Sequence, residues 1–322
     1  MEAINQEAMQ PLRVRRAELI ATDIHLFELA RDDGADLPDF TAGAHIRVRV
    51  PNGQVRRYSL CNPPEERGLY RLAVKREANG RGGSISLVDD TRVGDTLDVS
   101  APRNDFALSG APASYIFIAG GIGITPFLSM ARHLLATGGK PFRLYYLTRS
   151  PEATAFLTEL SAPAFAGKVT IHHDQGDPAH AFDLWPVLEQ PRGAHVYCCG
   201  PRRLMEAVRD MTGHWSSAAV HFEDFGGALA TRGWENHPFT VRLARSGRTI
   251  AVPAEATLLE ALAANGVAVR SSCESGSCGS CRVTVQAGEV EHRDLVLTEQ
   301  DRRTSMMVCV SRARGDALVL DL

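Results

Sequence analysis

The sequence predicts a multidomain fold in which an antiparallel β-barrel, an α/β domain with a parallel sheet and a small α+β domain follow one another. The hydrophobic pattern changes its character twice along the 322 residues, which is the first reason for this prediction. A stretch rich in glycine and small residues before the last part is the second. The third is the run CESGSCGSC, which gathers three cysteines and marks the last part as chemically specialised.

Residues 10–110 have the pattern of a small antiparallel β-barrel. Turn clusters such as PNG, NPPEERG and RGG separate short β-rich runs, namely IRVRV, YRLAVK and TLDVS. Short strands with turn signals between them are typical of closed all-β architectures, and no long amphipathic helix interrupts them. The first domain is therefore predicted to be a barrel.

Residues 111–227 alternate between buried strands and helices. The apolar runs are YIFIAG, RLYYLT, VTIHH and HVYCCG, and the helical stretches between and after them include PFLSMARHLL and RRLMEAVRDM. This alternation predicts a parallel sheet with helices on both faces. The stretch GGALATRGWENHP that follows is predicted to be a linker.

Residues 236–322 combine a hairpin, a short helix and the cysteine loop. The hairpin is predicted around Ser246–Gly247, and the helix TLLEALAANG is predicted to end at Gly266. Together these elements predict a small α+β domain.

Composition excludes several classes of function. A net charge of −3 offers no basic excess for nucleic acid, and the apolar run Tyr115–Ala131 is interrupted by glycines and Pro126, as expected of a strand and a helix rather than a membrane span. The start MEAINQEAMQP has no secretory pattern. We therefore expect a soluble, cytoplasmic, monomeric protein that binds neither nucleic acid nor membranes.

The cysteine loop has the spacing of an iron-sulfur site. Cys273, Cys278 and Cys281 form C-x4-C-x2-C, and Cys309 lies further on, as in plant-type ferredoxins that bind a 2Fe-2S cluster. The small residues between them allow backbone N–H groups to approach the cluster sulfurs. A structural zinc site is the alternative, but zinc sites favour two close C-x2-C pairs.

Two further constellations suit nucleotide cofactors. Arg57, Tyr58 and Ser59, with the glycine-rich turn NGRGGS, could stack a planar ring and neutralise a phosphate; a surface strand beside a flexible loop is the alternative. In AGGIGITPFLSM, glycines precede a helix that Thr125 is predicted to cap, which suits a pyrophosphate, although a tight turn without ligand remains open. Cys198 is predicted to be a buried structural cysteine.

The chain as a whole resembles the reductase family of phthalate dioxygenase and vanillate demethylase. The resemblance covers nearly the whole length and rests on YSLCN, AVKRE, NGRGGSIS, GGIGITPFLSMAR, LYYLTR, HVYCCGP, MTGHW and SSCESGSCGSC. It implies an FMN-binding barrel, an NAD-binding α/β domain and a C-terminal β-grasp ferredoxin domain, in that order.

The resemblance also implies site residues. The positions that match the FMN site are Arg57, Tyr58, Ser59, Ala73, Val74, Lys75, Gly82, Gly83, Ser84, Thr125 and Phe225. Those that match the nicotinamide site are Gly120, Gly121, Gly123, Cys199, Gly200 and Pro201. Ser59 and Cys199 are the catalytic candidates, because they would lie nearest to the path of the hydride.

The implied function is that of an oxygenase reductase. NADH gives up two electrons as a hydride and an iron-sulfur cluster accepts one at a time, so a flavin must stand between them. The expected acceptor is the Rieske centre of a separate terminal oxygenase, with phthalate dioxygenase favoured. A demethylase reductase and a non-enzymatic iron-sulfur carrier are the alternatives. One departure is Ser150, which stands where an acidic residue that binds ribose is expected.

Overall fold

The computed structural model describes residues 8–80, 82–225 and 236–322. The chain divides into two compact units, Met1–Pro201 and Arg202–Leu322. An antiparallel sheet, a parallel sheet and a separate C-terminal sheet follow one another along the chain, which confirms the predicted fold class. The three predicted domain boundaries stay a prediction, and most of the predicted linker lies outside the described residues.

The first sheet is an antiparallel barrel. Its strands are β1 (Met9–Ala21), β2 (Ile24–Ala30), β3 (His45–Arg49), β4 (Val55–Ser59), β5 (Tyr70–Lys75) and β6 (Thr96–Ser100). Their order is β4-β3-β6-β1-β2-β5, and every neighbouring pair is antiparallel. The two edges meet where Leu60 bridges Leu72 and where the Cys61 N–H donates to the Arg71 carbonyl at 2.9 Å. Helix α1 (Gly83–Asp90) leads from β5 to β6.

The second sheet is parallel and lies after the barrel in the first unit. Its strands there are β7 (Ser114–Gly120), β8 (Phe142–Thr148), β9 (Val169–His173) and β10 (Ala194–Cys199), and the helices are α2 (Ile124–Thr137), α3 (Leu157–Leu160) and α4 (Trp185–Leu188). In space these strands run β10-β7-β8-β9. The chain thus moves away from β7 in one direction and returns to its other side. Ligands of such sheets bind at the carboxyl ends of the strands where the direction reverses, which here is between β7 and β10.

The barrel and the parallel sheet share one hydrophobic core. Ala73 of the barrel is buried in the same cluster as Phe117 and Phe127 of the α/β part. Polar contacts join the two parts at α2, where the Ser129 hydroxyl donates to the Asn62 carbonyl at 2.8 Å and Arg132 donates to the Cys61 carbonyl. The segment that follows β4 is therefore fixed against the middle of α2.

The second unit carries the C-terminal mixed sheet. Its elements are α5 (Arg202–Met211), β11 (Val220–Glu223), β12 (Phe239–Leu243), β13 (Thr249–Val252), α6 (Leu258–Ala264), β14 (Arg282–Ala287), β15 (Val290–Glu291), α7 (Glu299–Arg302), β16 (Ser305–Met307), β17 (Arg312–Ala313) and β18 (Ala317–Leu320).

Five of these strands are ordered β13-β12-β18-β14-β16, and β15 pairs with β17. The hairpin between β12 and β13 turns at Gly247, and a capping box between Thr257 and Glu260 starts α6, both where the sequence predicts them. Within the described part of the chain, no helix is long and apolar enough to cross a bilayer.

Candidate functional site

The four predicted cluster cysteines meet in the second unit as two pairs. Cys273 and Cys278 share a hydrogen bond between their sulfurs, and so do Cys281 and Cys309. The hydrogen bond from Cys278 lowers the pKa of Cys273, and the one from Cys309 lowers the pKa of Cys281. The same contacts raise the pKa of the other member of each pair, Cys278 and Cys309, because the two thiols of a pair favour one shared proton. A 2Fe-2S cluster takes two thiolates on each of its two irons, so an arrangement in two pairs fits it. Within the described ranges, no three His, Cys, Asp or Glu side chains converge as a single metal ion requires.

The loop turns its backbone N–H groups towards these sulfurs. The Ser275 N–H donates to Cys273 Sγ at 3.4 Å, and the Cys273 N–H donates to Cys278 Sγ at 3.4 Å. Glu274 and Gly276 make this possible by adopting positive φ angles of 52° and 74°. Cys278 is only half-buried, whereas the other three cysteines are buried, so it is the most accessible of the four. Such N–H groups stabilise negative charge on cluster sulfurs.

In the first unit, β4 presents the predicted Arg-Tyr-Ser run. Ser59 is buried opposite His45 of β3, while Arg57 and Tyr58 are half-buried. The Tyr58 hydroxyl is buried and finds no hydrogen-bond partner among the residues that the structure describes. Burial raises its pKa, and burial together with Arg57 lowers the pKa of His45 to about 4. A buried hydroxyl without a partner on β4 fits a polar ring system such as a flavin, to which it could donate.

The glycine-rich turn after β5 opens a helix rather than a loose loop. Gly82 is the N-cap of α1 with φ +82°, and a Cβ on Gly83 would lie 2.5 Å from Nε of Arg56. The Ser84 hydroxyl accepts from the Glu77 N–H at 3.1 Å. A helix N-terminus packed against a guanidinium is suited to an anion such as a phosphate. Sequence reasoning singled out Arg57 and missed Arg56, whose only signal was its place in VRRYS.

The remaining predicted flavin residues are dispersed. Ala73 and Val74 are buried in β5, and Lys75 is exposed with Nζ 3.4 Å from a Glu77 carboxylate oxygen. Phe225 belongs to the second unit, where 46% of its surface is exposed. These positions remain predictions.

The predicted nicotinamide residues meet at the switch point of the parallel sheet. Ala119 of β7 pairs with Cys199 of β10, so the turns that follow both strands lie at one edge. A Cβ on Gly123 would lie 2.2 Å from the carbonyl oxygen of Cys199, and Gly121 has a φ of 53°. Only glycine allows the two backbones to lie this close, which leaves peptide groups free to face a pyrophosphate.

Two details at this edge differ from expectation. Thr125 does not cap α2: the N-cap is Gly123, and the Thr125 hydroxyl donates to the Ile122 carbonyl at 3.2 Å from inside the first turn. Cys199 is fully buried in the hydrophobic core, as is Cys198, whose pKa is raised by that burial. Cys198 is thus a structural cysteine, as predicted, while Gly200 and Pro201 are the more accessible part of their segment.

The turn after β8 contains a carboxylate that the sequence analysis did not consider. Ser150 donates a side-chain hydrogen bond to Glu152 and thereby lowers the pKa of that carboxyl. The Thr154 hydroxyl donates to the Ser150 carbonyl at 2.8 Å and contacts the Thr148 hydroxyl at 2.7 Å. These bonds hold Ser150 and Glu152 at the same sheet edge as the glycine turn.

Comparison with known proteins gives these sites a family context. The sequence model of the 2Fe-2S iron-sulfur cluster binding domain matches residues 241–314, and that of the oxidoreductase FAD-binding domain matches residues 11–108. A phthalate dioxygenase reductase from Burkholderia cepacia is 55% identical over 100% of both chains. A vanillate O-demethylase oxidoreductase from Pseudomonas putida is 41% identical, covering 94% of this chain and 96% of its own.

A solved structure has the same architecture. It is described as a phthalate dioxygenase reductase with a modular structure for electron transfer from pyridine nucleotides to [2Fe-2S]. It aligns with a TM-score of 0.73 and 56% identity over 98% of each chain. The similarity therefore extends through the barrel, the parallel sheet and the cysteine-containing sheet.

Proposed function

This chain belongs to the phthalate dioxygenase reductase family, and on that premise we propose that it carries electrons from NADH through FMN and a 2Fe-2S cluster to a Rieske-type terminal oxygenase. Phthalate dioxygenase is the oxygenase that we favour. The observation that carries the proposal is that one chain contains the barrel, the sheet edge with Gly120, Gly121 and Gly123, and two pairs of cluster cysteines. We further propose that it acts in the cytoplasm as a monomer.

The bound groups supply the redox chemistry, since nicotinamide gives a hydride, flavin divides its two electrons and the cluster passes them on singly. The protein binds and orients these groups. In our proposal, Cys273 and Cys278 hold one iron, and Cys281 and Cys309 hold the other. The Ser275 N–H, which donates to Cys273 Sγ at 3.4 Å, would stabilise negative charge on that sulfur.

The barrel residues would bind the flavin. We propose that Arg56, Arg57 and the start of α1 neutralise its phosphate, since a guanidinium and a helix N-terminus both attract anions. Tyr58 would donate its buried, unpartnered hydroxyl to the ring system, with Ser59 beside it. FMN is favoured over FAD by the family resemblance.

The sheet edge would bind the dinucleotide. Gly120, Gly121 and Gly123 would face the pyrophosphate with their peptide N–H groups at the N-terminus of α2, a 14-residue helix. Gly200 and Pro201 would lie beside the nicotinamide. The Cys199 thiol is enclosed in the core, so its proposed contribution is to the shape of this edge through its carbonyl, which packs against Gly123.

Reconstitution tests the proposal. The purified chain, given NADH and the separate oxygenase component of phthalate dioxygenase, should support phthalate turnover, and flavin released by boiling should chromatograph as FMN. The oxygenase component of vanillate demethylase serves as the matched control. Faster turnover with that component would favour the demethylase function, for which the 41% identical relative argues. A preparation that contains iron but no flavin would instead identify a simple electron carrier.

A further inference from the structure

A fully buried carboxylate lies behind the cysteine loop. Asp294 follows β15 and has no exposed surface. Its Oδ2 accepts a hydrogen bond from the Leu297 N–H at 2.8 Å, which fixes the turn before α7. Its Oδ1 is buried and finds no hydrogen-bond partner within the described ranges. A carboxylate with one unsatisfied oxygen in the interior is unfavourable for folding alone.

Nearby positive charge compensates Asp294 only in part. Nδ1 of His292 lies 3.6 Å from Oδ1, but burial lowers the pKa of His292, so the ring is neutral at pH 7. Arg302 places Nη2 3.9 Å from Oδ2, and the same guanidinium also lies 3.6 Å from a carboxylate oxygen of Glu299. The neighbouring Arg293 is paired with Glu291. The positive groups around Asp294 are therefore either neutral or shared with other carboxylates.

Backbone contacts connect Asp294 to a proposed cluster ligand. The Leu295 N–H donates to the Gly276 carbonyl at 3.0 Å, and a Cβ on Gly276 would lie 3.1 Å from the Cα of Asp294. On its other side, the same Cβ would lie 2.7 Å from Cγ2 of Val310, the residue after Cys309. Gly276 follows Ser275, whose N–H donates to Cys273 Sγ at 3.4 Å. One glycine residue thus lies between the segment of this buried carboxylate and the segments of two cluster cysteines.

We propose that Asp294 is an electrostatic determinant of the cluster's reduction potential, a fixed negative charge behind Gly276 that makes one-electron reduction of the cluster less favourable. The inference rests on the proposed function, in which the four cysteines bind a 2Fe-2S cluster. Reduction adds one negative charge to the cluster, and a like charge in a weakly screened interior opposes that addition. The reduced cluster then gives its electron more readily to the oxygenase.

The test is a redox titration of the intact holoprotein followed by electron paramagnetic resonance. Asp294→Asn removes the charge but keeps a carbonyl oxygen that can accept from the Leu297 N–H. We expect the ratio of reduced to oxidised cluster at a fixed potential to rise about tenfold, a positive shift of about 59 mV for a one-electron couple. Asp321→Asn, which breaks a surface ion pair with Arg245 in the same unit, should leave the potential unchanged.

A second variant distinguishes charge from structural damage. Arg302→Gln removes the partial counter-charge, so its potential should shift in the negative direction, opposite to that of Asp294→Asn. Local disruption alone would not give opposite signs. If Asp294→Asn assembles no cluster, the Arg302→Gln result decides, and the absence of a negative shift overturns the inference.

The titration of the wild-type protein distinguishes a failure of the proposed function from a failure of the role given to Asp294. A wild-type chain without a 2Fe-2S signal would refute the proposed function itself. A normal wild-type signal with an unchanged potential in an assembled Asp294→Asn protein would refute only the role of Asp294.

Discussion

At the scale of single residues, the cysteines differ in what surrounds their sulfur atoms. The four in and after the cysteine loop receive hydrogen bonds from one another and from backbone N–H groups. Cys61, by contrast, donates to the Arg71 carbonyl at 3.2 Å inside the first unit's core, and burial raises its pKa to about 12. Its thiol is held by that hydrogen bond in a hydrophobic core and lies outside the ligand spacing, so it is a structural cysteine.

This contrast predicts the outcome of two substitutions. Cys273→Ser should abolish or strongly reduce the visible and paramagnetic signature of the 2Fe-2S cluster, because one of four thiolates is lost. Cys61→Ser should leave that signature intact, since a hydroxyl can make the same hydrogen bond to the Arg71 carbonyl. Iron content and the spectrum of each purified variant provide the measurement. Equal loss in both variants would contradict the ligand assignment.

Gly123 gives a second prediction at this scale. In Gly123→Ala the new Cβ would lie 2.2 Å from the Cys199 carbonyl oxygen, a backbone atom that cannot move aside cheaply. We expect a loss of about 1–3 kcal/mol in the free energy of unfolding and a raised KM for NADH, since β7 and β10 must separate. Gly121→Ala is the control, because its Cβ would meet no described atom within 4 Å and only its φ of 53° would be strained. An equal rise in KM in both would refute the close-approach argument.

How far these residues can be predicted depends on whether their signal is local. The spacing of Cys273, Cys278 and Cys281 is local and specific, so it identifies the cluster loop from the sequence alone. Cys309 could be assigned because this pattern requires a fourth cysteine further along the chain. The cap of α2 and the direction of the Cys199 side chain depend on where β7 and β10 lie in the sheet. For that reason Thr125 was wrongly predicted to be the cap, and the burial of Cys199 was not foreseen.

At the scale of elements, we expect the turn after β8 to determine whether the protein prefers NADH or NADPH, because it would lie beside the adenosine ribose. A carboxylate that accepts from ribose hydroxyls favours NADH, and it repels the 2′-phosphate of NADPH. We propose that Glu152 provides such a carboxylate, whose pKa the hydrogen bond from Ser150 lowers. Ser150, which stands where an acidic residue is expected, therefore donates a hydrogen bond to an acidic residue two positions later, Glu152.

This arrangement predicts nucleotide preference. The wild type should use NADH with a higher kcat/KM than NADPH, and Ser150→Asp should widen that ratio by adding a second negative charge. Glu152→Gln should narrow it, since the amide no longer repels a phosphate. Steady-state reduction of a dye with each nucleotide gives the ratio. A wild-type preference for NADPH would contradict this interpretation and would point to Arg149, the residue before Ser150, as the partner of the 2′-phosphate.

The elements themselves were largely readable from sequence. The runs YRLAVK, TLDVS and RRLMEAVRDM coincide with β5, β6 and α5, because alternation and helical periodicity are properties of short segments. The glycine-rich turn was harder to interpret. Because the first residues of α1 are glycines, which are poor helix formers, the sequence does not indicate that a helix begins there. Only the folded barrel shows that Gly83 packs against Arg56.

At the scale of the whole molecule, the proposed electron path has two halves: electrons enter as a hydride through the barrel and the parallel sheet, and they leave singly through the C-terminal cluster. The C-terminal sheet has its own hydrophobic core, which includes Cys281 and Cys309. The barrel and the parallel sheet share a different core. A chain that ends before Glu235 should therefore keep its flavin and its reaction with NADH.

Anaerobic mixing with NADH tests this claim most directly, with flavin followed by absorbance and the cluster by paramagnetic resonance in the full and shortened chains. In the full chain, flavin reduction should come first, and the signal of a reduced 2Fe-2S cluster should then appear, with rapid reduction of cytochrome c. The shortened chain should reduce its flavin and a two-electron dye equally fast, yet fail with cytochrome c and with any oxygenase. Undiminished oxygenase turnover by the shortened chain, or a cluster that stays oxidised while the flavin is fully reduced, would contradict the account.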